Sequence, residues 1–253
     1  MSRKRSMSAV TPCTASSTSC TWKSRIRSEA AALTGVGGRA AGATATRRDR
    51  WVAADDEPAD GPGPAGATST RRFAWCITGS GHGLEESIAL AGRLPAVDLL
   101  LSAAAEEVLE IYGLKIAELK NRFRVVRDRS ASGVPVGMLY DEVYHTVVVA
   151  PATSNTVAKC AFGISDSLPT NMFAQAGKLG IPGIVFACDT EPVVVTKSPH
   201  DWVTLRPRGI ELANVERLRG IDHCRVVASV DELQAALETR LRELSLAWNT
   251  SSS

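Results

Sequence analysis

From Phe73 to the end of the chain, short apolar runs alternate with segments in which apolar residues recur every three or four positions. The apolar runs predict six strands, at residues 73–77, 97–101, 123–126, 146–150, 183–187 and 225–228. The periodic segments predict helices at residues 84–91, 103–112, from about 157 to 162, 166–178 and from 229 onward. Strands with few polar positions, separated by amphipathic helices, are typical of a parallel sheet that helices cover on both faces. The pattern therefore predicts an α/β fold, a doubly wound three-layer sandwich.

The first 72 residues differ from the rest in composition, because they hold few Val, Ile, Leu or Phe residues and many Ser, Thr, Ala, Gly and Arg. Such a segment cannot bury enough apolar surface to offset the entropy of the chain. We therefore expect residues 1–72 to be a disordered N-terminal extension, with a linker at 57–64, and residues 73–253 to form the functional domain. Two interpretations of the extension stay open: a dispensable or misassigned segment, or a targeting signal with a transit-peptide-like composition.

Charge and cysteine spacing exclude several classes of protein. The net positive charge lies before residue 73, and residues 73–253 are mildly acidic, which argues against a nucleic-acid-binding surface. No apolar run approaches the roughly 20 residues that a membrane-spanning helix needs, so we expect no membrane segment. The six cysteines lie far apart without a C-x-x-C pair, so we expect free thiols in a reducing compartment, the cytoplasm, and no metal site; they are Cys13, Cys20, Cys76, Cys160, Cys188 and Cys224.

Two polar loops follow predicted strands, at the edge where doubly wound sheets bind ligands. The first loop contains Gly79, Ser80, Gly81, His82 and Gly83, and its glycines would let an anion approach the backbone. Its spacing is not that of the G-x-G-x-x-G dinucleotide motif, and a simple chain reversal is the ordinary alternative. The second loop, residues 151–156, places four small polar side chains at a predicted helix start, and its ordinary alternative is a rich N-cap.

Together the loops resemble a known family. Residues 150–156 read A-P-A-T-S-N-T, close to the A-P-A-S-A-N-T signature of the flavoprotein superfamily that includes the homo-oligomeric flavin-containing cysteine decarboxylases. Residues 77–82 and 163–171 are more similar to one branch, the archaeoflavoprotein and dihydromethanopterin reductase (acceptor) group. The resemblance extends from about Phe73 to Val230.

The resemblance implies a Rossmann-like fold with FMN bound at the subunit interfaces of a homo-oligomer. It implies that Gly79, Ser80 and Ser102 hold the phosphate and ribityl chain, while residues 151–156 line the isoalloxazine and Asn155 bonds its pyrimidine edge. The complete set of expected cofactor-binding residues is Gly79, Ser80, Gly81, His82, Ser102, Ala103, Pro151, Ala152, Thr153, Ser154, Asn155 and Thr156.

The branch also implies an activity, the transfer of a hydride from FMN to a dihydropterin, as in the reduction of dihydromethanopterin to tetrahydromethanopterin. Cysteine decarboxylation is disfavoured, because Gly137 stands where the decarboxylases have a catalytic histidine and their second signature, P-x-M-N-x-x-M-W, is missing. The electron donor stays open between reduced nicotinamide and a redox protein. A non-enzymatic electron-transfer flavoprotein and a nucleotide-binding protein without flavin are the rival functions.

Three further residues are candidates near the expected site. His82 is a candidate proton donor, with a structural or phosphate contact as the alternative. Lys159 and Asp166 follow the second loop and are candidates for contact with the polar substrate, with a solvated ion pair as the alternative.

Overall fold

The computed structural model describes residues 71–129 and 133–249 of the 253-residue chain. These residues form eight strands and eight helices: β1 (Arg72–Ile77), α1 (Leu84–Gly92), β2 (Val97–Leu101), α2 (Ala103–Ile111), α3 (Ile116–Lys120), β3 (Arg124–Arg127), α4 (Gly133–Tyr140), β4 (Tyr144–Ala152), α5 (Ser154–Ala161), α6 (Leu168–Lys178), β5 (Gly183–Ala187), β6 (Val194–Lys197), β7 (Trp202–Leu205), α7 (Gly209–Arg219), β8 (Cys224–Val227) and α8 (Val230–Glu243).

Six strands form one parallel sheet in the order β3-β2-β1-β4-β5-β8. The chain first builds outward on one side of β1, through β2 and β3, and then returns to place β4 on its other side. This order confirms the predicted doubly wound, Rossmann-like α/β architecture. It also puts the switch in chain direction between β1 and β4, the position at which such sheets leave a crevice beyond the strand ends.

The core lies on both faces of the sheet because successive side chains of a strand point to opposite sides. On one face, Trp75 and Val148 pack with the buried residues of α1 and α8. On the other face, Cys76 and Val149 pack with those of α6 and α7. The three-layer sandwich is therefore confirmed, since helices cover both faces of the sheet.

The predicted strands and helices are present, with differences of one to three residues in most of their limits. β2 and β5 begin and end at the predicted residues, whereas β1 begins one residue earlier, β3 lies one residue later and β8 lies one residue earlier than predicted. β4 is longer than predicted at both ends and takes in His145 and Pro151. The extension at its end is explained by Ala152, which pairs with Ala187 of β5 and whose carbonyl oxygen accepts a hydrogen bond from the N–H of Cys188 (3.1 Å).

The structure contains four features that were not predicted: α3, α4, α7 and an antiparallel hairpin made of β6 and β7. The predicted disorder and the linker at 57–64 lie outside the described residues, and Arg72 is the first residue of β1. Among residues 71–129 and 133–249, no helix combines the length and the apolar composition that crossing a membrane requires.

Candidate functional site

The carboxyl ends of β2, β1 and β4 are neighbours in the sheet, so the residues that follow them lie along one edge. Ser102 follows β2, the segment from Thr78 to Gly83 follows β1, and Thr153 follows β4. The structure therefore brings together the two loops that were expected to bind the cofactor, although about 70 residues separate them in the sequence.

A buried threonine joins the two loops directly. The Thr78 hydroxyl group donates a hydrogen bond to the carbonyl oxygen of Pro151 (2.7 Å) and accepts one from the N–H of Thr153 (3.0 Å). The residue is 2% exposed. Because both bonds run to the second loop, the start of the glycine-rich loop and the start of α5 are held in one fixed relation. Thr78 was not among the predicted site residues.

The glycine-rich loop has no room for a Cβ atom at Gly79, Gly81 or Gly83. A Cβ atom on Gly79 would lie 2.7 Å from the Cβ of Ala104, at the start of α2. Gly83, which precedes α1, has a φ of 64°, in the left-handed region that favours glycine. The loop therefore presents bare backbone at the sheet edge, which is what close contact with a phosphate group requires.

Ser80 is oriented by a buried thiol. Its Oγ lies 3.1 Å from the Sγ of Cys188, which follows β5, and it also accepts a hydrogen bond from the N–H of His82 (3.2 Å). Burial raises the pKa of the Cys188 thiol to about 12, so that the thiol stays protonated and is able to donate to Ser80. Cys188 was predicted as a free thiol, which the structure bears out, but not as a neighbour of the site.

Two of the helices that begin at this edge, α2 and α5, have a hydroxyl N-cap. The Ser102 Oγ accepts a hydrogen bond from the N–H of Ala105 (3.0 Å), and the Thr153 Oγ1 accepts one from the N–H of Thr156 (3.2 Å). The first N–H groups of a helix lack partners within the helix and carry a partial positive charge. The starts of α2 and α5 therefore offer hydrogen-bond donors to a polar or anionic group.

The expected contact residues of the second loop occupy different environments. Pro151 and Ala152 were predicted to lie in a loop, but they are the buried last two residues of β4. The Ala150–Pro151 peptide bond is cis. Ser154 and Thr156 lie in the first turn of α5, and Asn155 in the same turn is exposed. The exposed amide of Asn155 is the side chain of this segment that is most available to a ligand.

Lys159 and Asp166 form an ion pair with each other, with 2.9 Å between the Lys159 Nζ and the Asp166 Oδ2. The hydrogen bond from Lys159 lowers the pKa of the Asp166 carboxyl group. Lys159 lies one turn after Asn155 on α5, so the pair is on the same side of the helix as that residue. This arrangement is the ion pair that was the alternative to a substrate contact.

His82 connects the glycine-rich loop to the β6–β7 hairpin. Its Nδ1 lies 2.9 Å from the Oγ1 of Thr196, and its ring centroid lies 5.7 Å from that of Phe186. Burial lowers the pKa of His82 below its ordinary value of 6.5, while the carboxylates of Asp189 and Glu86 oppose that shift. The imidazole is therefore mostly neutral at pH 7. It is able to bond a ligand but is a poor store of protons at that pH.

The hairpin was missed by sequence reasoning, yet the sequence carries a signal for it. Val193, Val194 and Val195 are a β-branched run, and Ser198-Pro199-His200-Asp201 is a typical turn composition before Trp202.

In the described residues, no three His, Cys, Asp or Glu side chains come together as a metal centre would need.

Comparisons with known proteins agree with this geometry. A family model described as Flavoprotein matches residues 65–241. The structure of Burkholderia xenovorans DmrB in complex with FMN, described as a cubic protein cage for redox transfer, is 70% identical to this chain. The match covers 70% of this chain and 98% of that one, with a TM-score of 0.66.

Two curated relatives carry the name dihydromethanopterin reductase (acceptor), one from Methanocaldococcus jannaschii and one from Methanosarcina mazei. Each is 39% identical to this chain over 141 residues, which are 50% of this chain and 57% and 59% of the two relatives. The chain therefore matches less than two thirds of the length of these relatives. The resemblance predicted from the two loops is confirmed by the family match, which covers more than half of the sequence: the chain belongs to the Flavoprotein family.

Proposed function

We propose that this chain is an FMN-dependent oxidoreductase that transfers a hydride to a dihydropterin, with dihydromethanopterin reduced to tetrahydromethanopterin. The observation that carries the proposal is the convergence of three loops, after β1, β2 and β4, at one sheet edge where Thr78 ties two of them together. The FMN complex of DmrB supports the cofactor, and the names of the two archaeal relatives support the pterin.

The residues at the sheet edge fit FMN. Gly79 packs directly against Ala104, so the glycine-rich loop lies next to the start of α2, where a phosphate group would be bound. Ser80 and Ser102 add hydroxyl groups, and the start of α2 adds the partial positive charge of a helix N-terminus. All three residues are uncharged, so a phosphate dianion would meet donors rather than a carboxylate.

The second loop is suited to the flavin ring. We assign the ring to the segment from Pro151 to Thr156, where Asn155 and the first N–H groups of α5 would bond the pyrimidine edge. Donors at that edge stabilise negative charge on the ring. FMN, when bound in its reduced form, would supply the hydride for the C=N bond of the dihydropterin, and a proton from solvent completes the tetrahydropterin.

Because the His82 imidazole is neutral at pH 7, we assign His82 to cofactor binding and not to proton donation. At pH 7 its imidazole bonds Thr196 and borders the phosphate loop, while proton donation would require a charged ring that burial disfavours. A kcat that does not change between pH 6 and 8 is expected for a binding role, and a kcat that falls with deprotonation of His82 would indicate a proton donor.

The proposal includes the partners expected from the family. We propose a homo-oligomer with FMN at its subunit interfaces, in line with the cage described for DmrB. The electron donor is either reduced nicotinamide or a redox protein, and the cytoplasm is the compartment that the cysteine spacing favours. Lys159 and Asp166 would meet the substrate only if the ligand competes with their ion pair.

The test is an anaerobic one. The FMN-loaded protein is reduced with dithionite, freed of excess reductant and mixed with dihydromethanopterin, with 7,8-dihydrofolate in a parallel sample. We expect the visible flavin absorption to return as tetrahydromethanopterin forms. If the flavin stays reduced with both pterins, the substrate assignment is wrong and the electron-transfer function takes its place.

A further inference from the structure

The β6–β7 hairpin borders an open cavity beside the glycine-rich loop. Two contacts hold the hairpin there: the His82 Nδ1 lies 2.9 Å from the Thr196 Oγ1, and the Tyr112 hydroxyl group donates to the carbonyl oxygen of Lys197 (2.9 Å). The cavity has a volume of about 440 Å³. This is within the range of small-molecule sites and exceeds what a bound water cluster needs.

Aromatic rings form much of the wall. Phe186 is fully buried, Tyr112 borders the cavity from the C-terminal end of α2, where it is the C-cap, and Trp202 of β7 lies at the hairpin side. Trp202 is 67% exposed, the largest fraction among the exposed apolar side chains of the described residues. A large ring left in water at the mouth of a cavity is placed to stack on a planar ligand.

The charges of the wall select the kind of ligand. Three carboxylates border the cavity, those of Glu85, Glu86 and Glu191, against the ammonium group of Lys197. Carboxylates repel a phosphate or diphosphate group and accept hydrogen bonds from N–H donors. The cavity therefore disfavours both the FMN phosphate and a dinucleotide, and it favours a planar heterocycle that presents N–H groups.

We propose that this hairpin cavity binds the pteridine head group of the dihydropterin, an inference that rests on the proposed function. The aminopyrimidinone ring of a pterin carries an amino group and a ring N–H side by side, which match a carboxylate acceptor. Its flat bicycle matches the aromatic wall, and Trp202 is the stacking partner.

The position of the cavity fits this role. Gly81 and His82 border it, while Ser80 on the same loop is part of the proposed FMN cradle. A Cβ atom on Gly81 would collide with the outer end of the Tyr112 ring, so a larger residue there would have to displace this wall of the cavity. Cys188 also lines the cavity, and its N–H donates to the carbonyl oxygen of Ala152 (3.1 Å), so the cavity adjoins the segment assigned to the flavin ring, as hydride transfer requires.

The test measures binding without turnover. FMN-loaded protein in its oxidised form is titrated by calorimetry with 7,8-dihydropterin, with dihydromethanopterin and with inorganic phosphate. The variants are Trp202→Ala, Glu191→Gln and the control Val203→Ala, whose side chain lies on the opposite face of β7. Flavin content and circular dichroism establish that each variant is folded.

We expect both pterins to bind the wild type and the control equally well, and inorganic phosphate not to enter the cavity. Binding to the Trp202→Ala protein should be about tenfold weaker, as expected for one lost stacking contact. The Glu191→Gln change should weaken binding severalfold, because an acceptor of two N–H bonds becomes a mixed donor and acceptor.

The outcomes separate this inference from the proposed function. If oxidised protein binds pterins through Trp202 but reduced protein does not reduce them, the cavity stands and the reaction fails. If the wild type reduces dihydromethanopterin but both cavity variants bind it with unchanged affinity, the reaction stands and the inference is overturned. A Trp202→Ala protein that changes its subunit assembly with unchanged pterin affinity also overturns the inference, since the hairpin is then a subunit contact.

Discussion

Replacing Thr78 with valine removes the hydroxyl group that links the two site loops while it keeps the size and branching of the side chain. The change breaks the bonds to the Pro151 carbonyl oxygen and to the Thr153 N–H. At about 1 kcal/mol for each bond, we expect the free energy of unfolding to fall by about 2 kcal/mol. For a domain of this size that corresponds to a Tm lower by about 4 to 8 °C.

The same change should weaken FMN binding by about tenfold, because the phosphate loop and the start of α5 are no longer fixed to each other; a factor of ten is about 1.4 kcal/mol. Unfolding in urea gives the loss of stability, and quenching of FMN fluorescence during titration of the apoprotein gives the affinity. The matched control is Thr78→Ser, which keeps both hydrogen bonds and loses one methyl group. A valine variant with wild-type affinity, or a serine variant as weak as the valine variant, would refute the role of the hydroxyl group.

Three other changes test neighbouring parts of the account. The Cys188→Ala protein should bind FMN severalfold more weakly because Ser80 loses its 3.1 Å partner, and Cys188→Ser should restore the affinity; equal affinities for the two variants would contradict this. In Gly79→Ala the new Cβ would lie 2.7 Å from that of Ala104, so we expect a loss of about 1 to 3 kcal/mol in thermal unfolding and weaker FMN binding, and an unchanged protein would be a contrary result. Burial, assisted by Arg240, lowers the pKa of His145 from 6.5 to about 4. The unfolded chain therefore binds a proton that the folded chain refuses, and stability should be full above pH 6.5 and decline as the pH falls towards 4. His145→Gln should reduce that decline, and parallel curves for the two proteins would show that another group causes it.

The centre of the sheet was predictable because β2, β1, β4 and β5 are buried on both faces. β5 is a continuous apolar run and β2 is apolar apart from Asp98, and each begins and ends at the predicted residue. The end of β4 was missed because a proline lacks the N–H that continues a ladder. Pairing resumes at Ala152 because its carbonyl oxygen accepts a hydrogen bond from the N–H of Cys188. No pattern in the sequence indicates this pairing.

The missed helices lack a strong apolar stripe. α7 buries Val215 and Leu218 as its apolar side chains, with Asn214 beside them, so its sequence looks mostly polar. α4 contains Gly133 and Pro135, which are weak signals for a helix. Periodicity predicts helices only where a wide face is buried.

The sequence was sufficient to predict the loops that form the site, but not the hydrogen bonds that join them to each other and to other elements. The glycine-rich loop and the polar helix start at Thr153 follow from local composition and spacing, whereas Ser102 was expected only from the family resemblance. The contacts of Thr78 with Thr153, of Ser80 with Cys188 and of His82 with Thr196 join residues 75, 108 and 114 positions apart. Such contacts depend on the order of the strands in the sheet, which a single sequence does not reveal.

The binding of FMN itself is the most direct test of the whole account. Apoprotein is titrated with FMN while flavin fluorescence and visible absorption are recorded, and the retained flavin is counted after gel filtration. We expect a yellow protein that keeps an FMN for each chain, with an absorption spectrum shifted from that of the free cofactor. A protein that passes through gel filtration without colour, and leaves the fluorescence of added FMN unchanged, would contradict it.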